Sequence, residues 1–141
     1  MLKSFVADKL SRYSGQTDFL EAVCAASALV ASADGNVSDD EVDGIIKTIA
    51  ANAALSAGFN SRQIEQTAEA MIKRAQGGRM GRNGLMRELE DVAKDADKAE
   101  AVAIAALDVA EADGSIGAEE QAMLLKIGAA LKIDMKRLMD S

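Results

Sequence analysis

Most side chains in this protein that could do chemistry are carboxylates, and two groups of them share one pattern. Ala31 to Glu41 reads ASADGNVSDDE and Ala110 to Glu120 reads AEADGSIGAEE. Each places an Asp before a Gly (Asp34, Asp113) and a Glu a few residues later (Glu41, Glu120), with Asp39 and Asp40 or Glu119 beside it. Oxygen donors without imidazole or thiolate suit a hard cation, Ca²⁺ or Mg²⁺. In the register of a calcium-binding helix-loop-helix, Gly35 and Gly114 take the invariant glycine position, and Glu41 and Glu120 the closing glutamate. The leading ligand positions then fall on Val30, Ser32, Val109 and Glu111. A high-affinity calcium loop is therefore not expected, and a weak divalent site is.

The same residues also make sense without a ligand. Gly35 and Gly114 suit the left-handed turn after a helix, and Ser38 and Gly117 suit the next N-cap. Glu41 and Glu120 fall where a carboxylate reaches back to the N-cap amide, and Val37 with Val42 forms a staple. Asp39, Asp40 and Glu119 complement the positive end of a helix dipole, whereas Asp34 and Asp113 sit at the opposing end, where a local Asx turn would have to hold them. Helix corner and metal loop both remain open at this point.

Five cations, Lys73, Arg74, Arg79, Arg82 and Arg87, follow one another with no acidic residue between them. They read either as a solvated loop or as a site for an anion or an acidic partner. Cys24 lies among apolar neighbours and reads as a small core residue. The chain has no histidine and a single cysteine, so a catalytic triad, a Cys/His zinc site, an internal disulfide and dithiol reduction are all excluded. GGRMGRNG lacks the Lys-Ser/Thr ending of a P-loop. No enzyme is expected.

The elements that must position these groups are helices. The 141 residues include no proline and are 49% hydrophobic, much of that alanine, which favours one all-α domain spanning residues 1–141. A net charge of −7, from 16 Lys and Arg against 23 Asp and Glu, opposes nucleic-acid binding. No apolar run reaches the roughly 20 residues of a membrane span, and the start MLKSFVADKL does not resemble a signal peptide, so a cytoplasmic protein is expected.

Capping signals predict about seven helices. Residues 1–16 form an N-terminal amphipathic helix with Lys3, Lys9 and Arg12 opposite its apolar stripe, suited to packing on the bundle or to weak membrane contact. A second helix opens at an Asp18/Glu21 capping box and stops at Gly35, with Leu20, Val23, Ser27 and Val30 on one face. A third runs from Ser38 to Gly58. A fourth is capped by Asn60 with Gln63, stapled by Phe59 and Ile64, and stopped by Gly77 and Gly78. GGRMGRNG reads as a loop before a short helix. Asp97 and Glu100 start a long helix through Ala112, its partner spans Gly117 to Leu131, and Asp134 caps a last turn through Met139. Met71, Met80, Met86, Met123, Met135 and Met139 read as core filler or as an adaptable protein-binding groove.

Val30 to Lys47 aligns with Val109 to Lys126, with identities at Val30/Val109, Ala31/Ala110, Ala33/Ala112, Asp34/Asp113, Gly35/Gly114, Glu41/Glu120 and Lys47/Lys126. The pattern is a repeated helix-DG loop-helix within one fold, and its two copies should pack together. These paired segments and the closing IGAALKIDMKRL resemble the TerB tellurite-resistance family over residues 17 to 141. The resemblance implies an all-helical duplicated bundle, a role in tellurite resistance and stress response, and divalent-metal binding through acidic residues. It also implies action beside membrane-bound Ter proteins, peripheral to the inner membrane. By position the ligand candidates are Asp34, Asp39, Asp40 and Glu41, then Asp113, Glu119 and Glu120. Gly117 and Ala118 replace Ser38 and Asp39, which makes the second copy the poorer site. The alternative is a metal-free interaction module similar to the TerB-like domain of DnaJ-type co-chaperones.

Overall fold

A computed structural model describes residues 15–33, 35, 37–112, 114 and 116–140. The N-terminal helix expected over residues 1–16 falls almost wholly outside the described residues, as do Asp34 and Asp113. Among the described residues there are eight helices and no strand: α1 Thr17–Ala31, α2 Asp39–Ala50, α3 Ala53–Gly58, α4 Ser61–Gln76, α5 Gly78–Val92, α6 Ala96–Glu111, α7 Ala118–Leu131 and α8 Met135–Met139.

The bundle is organised around α1. Phe19, Leu20 and every residue from Ala22 to Val30 are buried, so α1 is hydrophobic on all sides, as a helix enclosed by others must be. Its alanines let α4, α5 and α6 approach closely around it, with α7 behind. The predicted face of Leu20, Val23, Ser27 and Val30 is buried, and burial continues around the cylinder. Ser27 satisfies its hydroxyl within the helix by donating to the Val23 carbonyl at 2.8 Å. α6 has the same character, with Ala99, Ala101 to Ala103 and Ala105 to Leu107 buried.

The outer helices are amphipathic. α4 buries Ile64, Ala68, Met71, Ile72 and Ala75, and α5 buries Leu85, Leu89 and Val92, both at helical spacing. α7 is anchored by Leu124, Ile127 and Leu131. α2 is held far more lightly, with Ile49 buried and Val42, Ile45 and Ile46 only partly covered. Asn60 caps α4 by accepting from the Gln63 amide at 2.7 Å, and Asp134 caps α8 by accepting from the Arg137 amide at 3.2 Å, both as the sequence predicts. Phe59 and Ile64 are both in the core.

Several expected boundaries move. The segment expected as one helix from Ser38 to Gly58 breaks after Ala50, because the Asn52 side chain accepts from the Leu55 amide at 3.2 Å and starts a new helix. α1 begins at Thr17 with Gln16 at its N-cap, so Asp18 is not a cap; it lies in the first turn and pairs with Lys98 of α6 at 2.9 Å. Asp95, rather than Asp97, caps α6 by accepting from the Lys98 amide at 3.2 Å.

The largest correction concerns GGRMGRNG, which is helix from Gly78 onward. Gly78, at φ +81°, turns the chain from α4 into α5, whereas Gly81 and Gly84 serve close packing. A Cβ on Gly81 would collide with the Arg74 carbonyl of α4, and one on Gly84 would stand 2.7 Å from the Arg74 guanidinium. Only backbone fits where α5 crosses the end of α4.

Candidate functional site

Both acidic corners are built the same way. α1 ends at Ala31, the Ala33 amide donates to the Val30 carbonyl at 3.2 Å, and the Gly35 amide donates to the Ser32 carbonyl at 3.2 Å. α6 ends at Glu111, the Ala112 amide donates to the Val109 carbonyl at 3.2 Å, and the Gly114 amide donates to the Glu111 carbonyl at 3.0 Å. Gly35 and Gly114 have φ of +117° and +96°, a region that L side chains rarely enter, and this accounts for both glycines. They stand beyond the helix caps, Ser32 and Ala112, not directly at the helix ends.

The following helices start with the predicted glutamate contacts. Ser38 Oγ accepts from the Glu41 amide at 3.2 Å and donates to Glu41 Oε1 at 3.0 Å, while the Ser38 amide reaches the same oxygen at 3.5 Å. In the second corner Gly117 has no hydroxyl, and the Gly117 amide donates to Glu120 Oε1 at 3.0 Å. The capping reading of Glu41 and Glu120 is thus correct, and in both the bond falls on Oε1.

Distant in sequence, the two glutamates line one open cleft of about 410 Å³. Its floor comes from the carboxyl ends of α1 and α6, through Ser27, Val30, Ala106 and Val109, and α2 adds Gly44, Ile45 and Thr48. The cleft thus has walls of mixed polar and apolar character, with a carboxylate from each corner. Sequence spacing alone could not reveal this pairing; the signal for it was the repeat, which implied that equivalent helices meet.

The remaining acidic candidates separate. Asp39 lines a different groove, between α2 and α4, beside Asp43, Glu69 and Lys73. Asp40 and Glu119 are exposed in the first turns of α2 and α7, where they complement the helix dipole. Among the described residues no three His, Cys, Asp or Glu side chains stand together as a metal-binding group. Glu41 and Glu120 offer two carboxylates to one cleft, and Asp34 and Asp113 lie outside the described residues.

The basic segment is partly neutralised. Lys73 pairs with Glu69 at 3.1 Å one turn earlier, and Arg74 bridges to Glu88 of α5 at 3.2 Å while also lying against the Met71 sulfur. Glu21 of α1 completes this group. Partial burial, then the neighbouring Glu88 and Asp18, raise its carboxyl above the ordinary value, and Arg74 opposes them. The sequence reading missed this cluster because its members lie on three helices; the Gly81 and Gly84 spacing, one helical turn apart, was the available sign of a close crossing. Arg79 and Arg87 are exposed and Arg82 half-buried. Cys24 is buried, and burial with Glu21 nearby pushes its thiol up to about 12, leaving an unreactive core residue.

No helix among the described residues is long and apolar enough to cross a membrane. No curated protein and no solved structure matches the chain. A family model, described as tellurite resistance protein TerB, matches residues 20–139, which includes both corners and every helix from the core of α1 to α8. The chain belongs to the TerB family.

Proposed function

We propose that this protein is a non-enzymatic tellurite-resistance and stress-response protein that binds a divalent cation, Ca²⁺ or Mg²⁺, weakly in the cleft between its two DG corners. The observation that carries the reading is that Glu41 and Glu120 line the same cleft. Each glutamate uses Oε1 for its helix cap, and Oε2 is the oxygen assigned to the ion. Asp34 and Asp113 supply the further ligands, while Asp39, Asp40 and Glu119 contribute negative potential from outside the cleft. A site whose glutamates are tied to backbone amides suits the weak end of the calcium range, about 10⁻⁴ to 10⁻³ M. The protein acts in the cytoplasm beside membrane-bound Ter proteins.

Thermal unfolding in chelator and in millimolar Ca²⁺ or Mg²⁺ tests this reading, because a ligand that binds the native state raises its apparent stability. Wild type should gain about 1–3 kcal/mol at ten to a hundred times Kd. The Asp34→Asn/Glu41→Gln/Asp113→Asn/Glu120→Gln variant keeps acceptors for the turn and cap bonds and should gain nothing. Wild type that ignores both ions refutes the metal reading.

A second reading is favoured by the apolar part of the cleft lining. Val30, Ile45, Ala106 and Val109 would receive an apolar side chain of a partner without any ion, in a metal-free interaction module like the TerB-like domain of DnaJ-type co-chaperones. Under that reading the fourfold variant binds its partner as wild type does.

A further inference from the structure

We propose that the elbow between α4 and α5 docks on an anionic lipid surface, with Arg79, Arg82 and Arg87 facing headgroup phosphates around Met80. Met80 is 87% exposed, so it is not core filler, one of the two readings of the methionines. Arg79 and Arg82 flank it, and α5 has no acidic residue in its first turn to offset them. Among the described residues these three arginines form no ion pair, in contrast with Lys73 and Arg74, which are held by Glu69 and Glu88. The elbow is also a fixed platform. Gly81 brings the α5 backbone against the Arg74 carbonyl so closely that no side chain would fit, so Met80 and the arginines ride on a helix fixed against α4.

Charge complementarity selects the partner's sign, and shape selects its kind. The chain as a whole carries −7, so an anionic surface repels most of it and attracts it locally through these guanidinium groups. Arg79, Met80, Arg82 and Arg87 lie outside both the acidic cleft and the groove between α2 and α4, whereas a bound peptide is held in a groove or along a sheet edge. An apolar tip flanked by Arg79 and Arg82, with Arg87 about 10 Å further along α5, suits a yielding interface, where the methionine enters the headgroup boundary and the guanidinium groups remain among phosphates. Orientation follows as well. Arg74 lies beside Glu21 in the first half of α1, and Val30 of the acidic cleft is about 14 Å further along that helix. Docking by the elbow therefore leaves the cleft on the side away from the lipid.

Vesicle co-sedimentation of the full chain tests this. Binding should occur with phosphatidylcholine vesicles containing phosphatidylglycerol, be absent with phosphatidylcholine alone, and weaken with added salt. Each arginine near such a surface is worth roughly a fivefold change in partitioning. Arg79→Gln/Arg82→Gln/Arg87→Gln should thus lose on the order of a hundredfold, and Met80→Gln should lose a smaller factor that salt does not alter. If the triple variant fails to fold by circular dichroism, Arg79→Gln/Arg87→Gln, at two exposed positions, should lose about 25-fold. Lys3→Gln/Lys9→Gln/Arg12→Gln should bind as wild type does. The proposal is overturned if phosphatidylglycerol vesicles do not bind, if the elbow variants bind unchanged, or if the N-terminal variant alone abolishes binding. Retention on polyglutamate without vesicle binding overturns it in favour of an acidic protein partner.

Discussion

The two acidic corners share the turn hydrogen bonds of their described residues and differ in what holds the helix behind them. Ile45 of α2 and Leu124 of α7 occupy equivalent places after the repeated DG, yet Ile45 is only partly covered and Leu124 is fully buried. α7 is locked into the core by Leu124, Ile127 and Leu131, whereas α2 contributes Ile49 as its one fully buried residue. The N-caps compensate in the opposite sense. The lightly docked first corner has the complete Ser38–Glu41 box, and the anchored second corner manages with Gly117 and half of it. Local capping and tertiary burial are thus alternative ways to hold one turn, and the corner with less of one has more of the other.

This contrast is broken most strongly in the core. Leu124→Ala should cost about 2–5 kcal/mol of global stability, while Ile45→Ala, whose side chain is partly in water already, should cost clearly less; chemical denaturation measures both. Equal losses would show that α2 is as firmly packed as α7. The next effect lies in the turns. Gly35→Ala and Gly114→Ala meet no atom within 4 Å, so each should lose about 1–3 kcal/mol from backbone strain alone. A thermal-unfolding series in which alanine is tolerated at either position would remove the conformational reason for that glycine.

Caps give a smaller change. Ser38→Ala should cost about 1 kcal/mol, and it should speed hydrogen exchange in α2 before that in α7. Gly117→Ser would complete the second box and gain a few tenths of a kcal/mol. The smallest effect is one of pH, one residue before the aligned repeat begins. Leu29 of α1 is buried, and its counterpart in α6 is Asp108, whose carboxyl is raised above the ordinary value by partial burial and then by Glu111. A raised carboxyl binds its proton more tightly when folded. Its favourable contribution is therefore full below the unfolded value and is lost as pH rises through the folded value. Asp108→Asn should gain stability relative to wild type as pH rises from acid toward neutral, and a constant difference would contradict this assignment.

Features set by neighbours in sequence were legible before any coordinates. The caps at Asn60 and Asp134, the Glu41 and Glu120 contacts and the alanine-rich central helix all follow from side chains acting within one turn. Errors arose where a local signal has two physical causes. Glycine permits a loop and also permits two helices to touch, and only the Arg74 backbone beside Gly81 distinguishes them. Asp95 and Asp97 are both good caps, and the choice rests on which one reaches the Lys98 amide. The cleft was half legible. The repeat implied that the corners meet, but whether Asp39 or Glu41 faced the meeting point depended on how α2 rolls against α4.

The central claim is that both corners serve one ion in one cleft. The most direct test is a Ca²⁺ titration followed by heteronuclear NMR on wild type and on Glu41→Gln. In wild type the amides of Gly35, Glu41, Gly114 and Glu120 should shift together with a single affinity. In Glu41→Gln, which keeps a cap acceptor in the first corner, the shifts at Gly114 and Glu120 should weaken as much as those at Gly35. Shifts at Gly114 and Glu120 that persist unchanged in Glu41→Gln, or a wild-type spectrum that stays flat at millimolar Ca²⁺, would contradict the account.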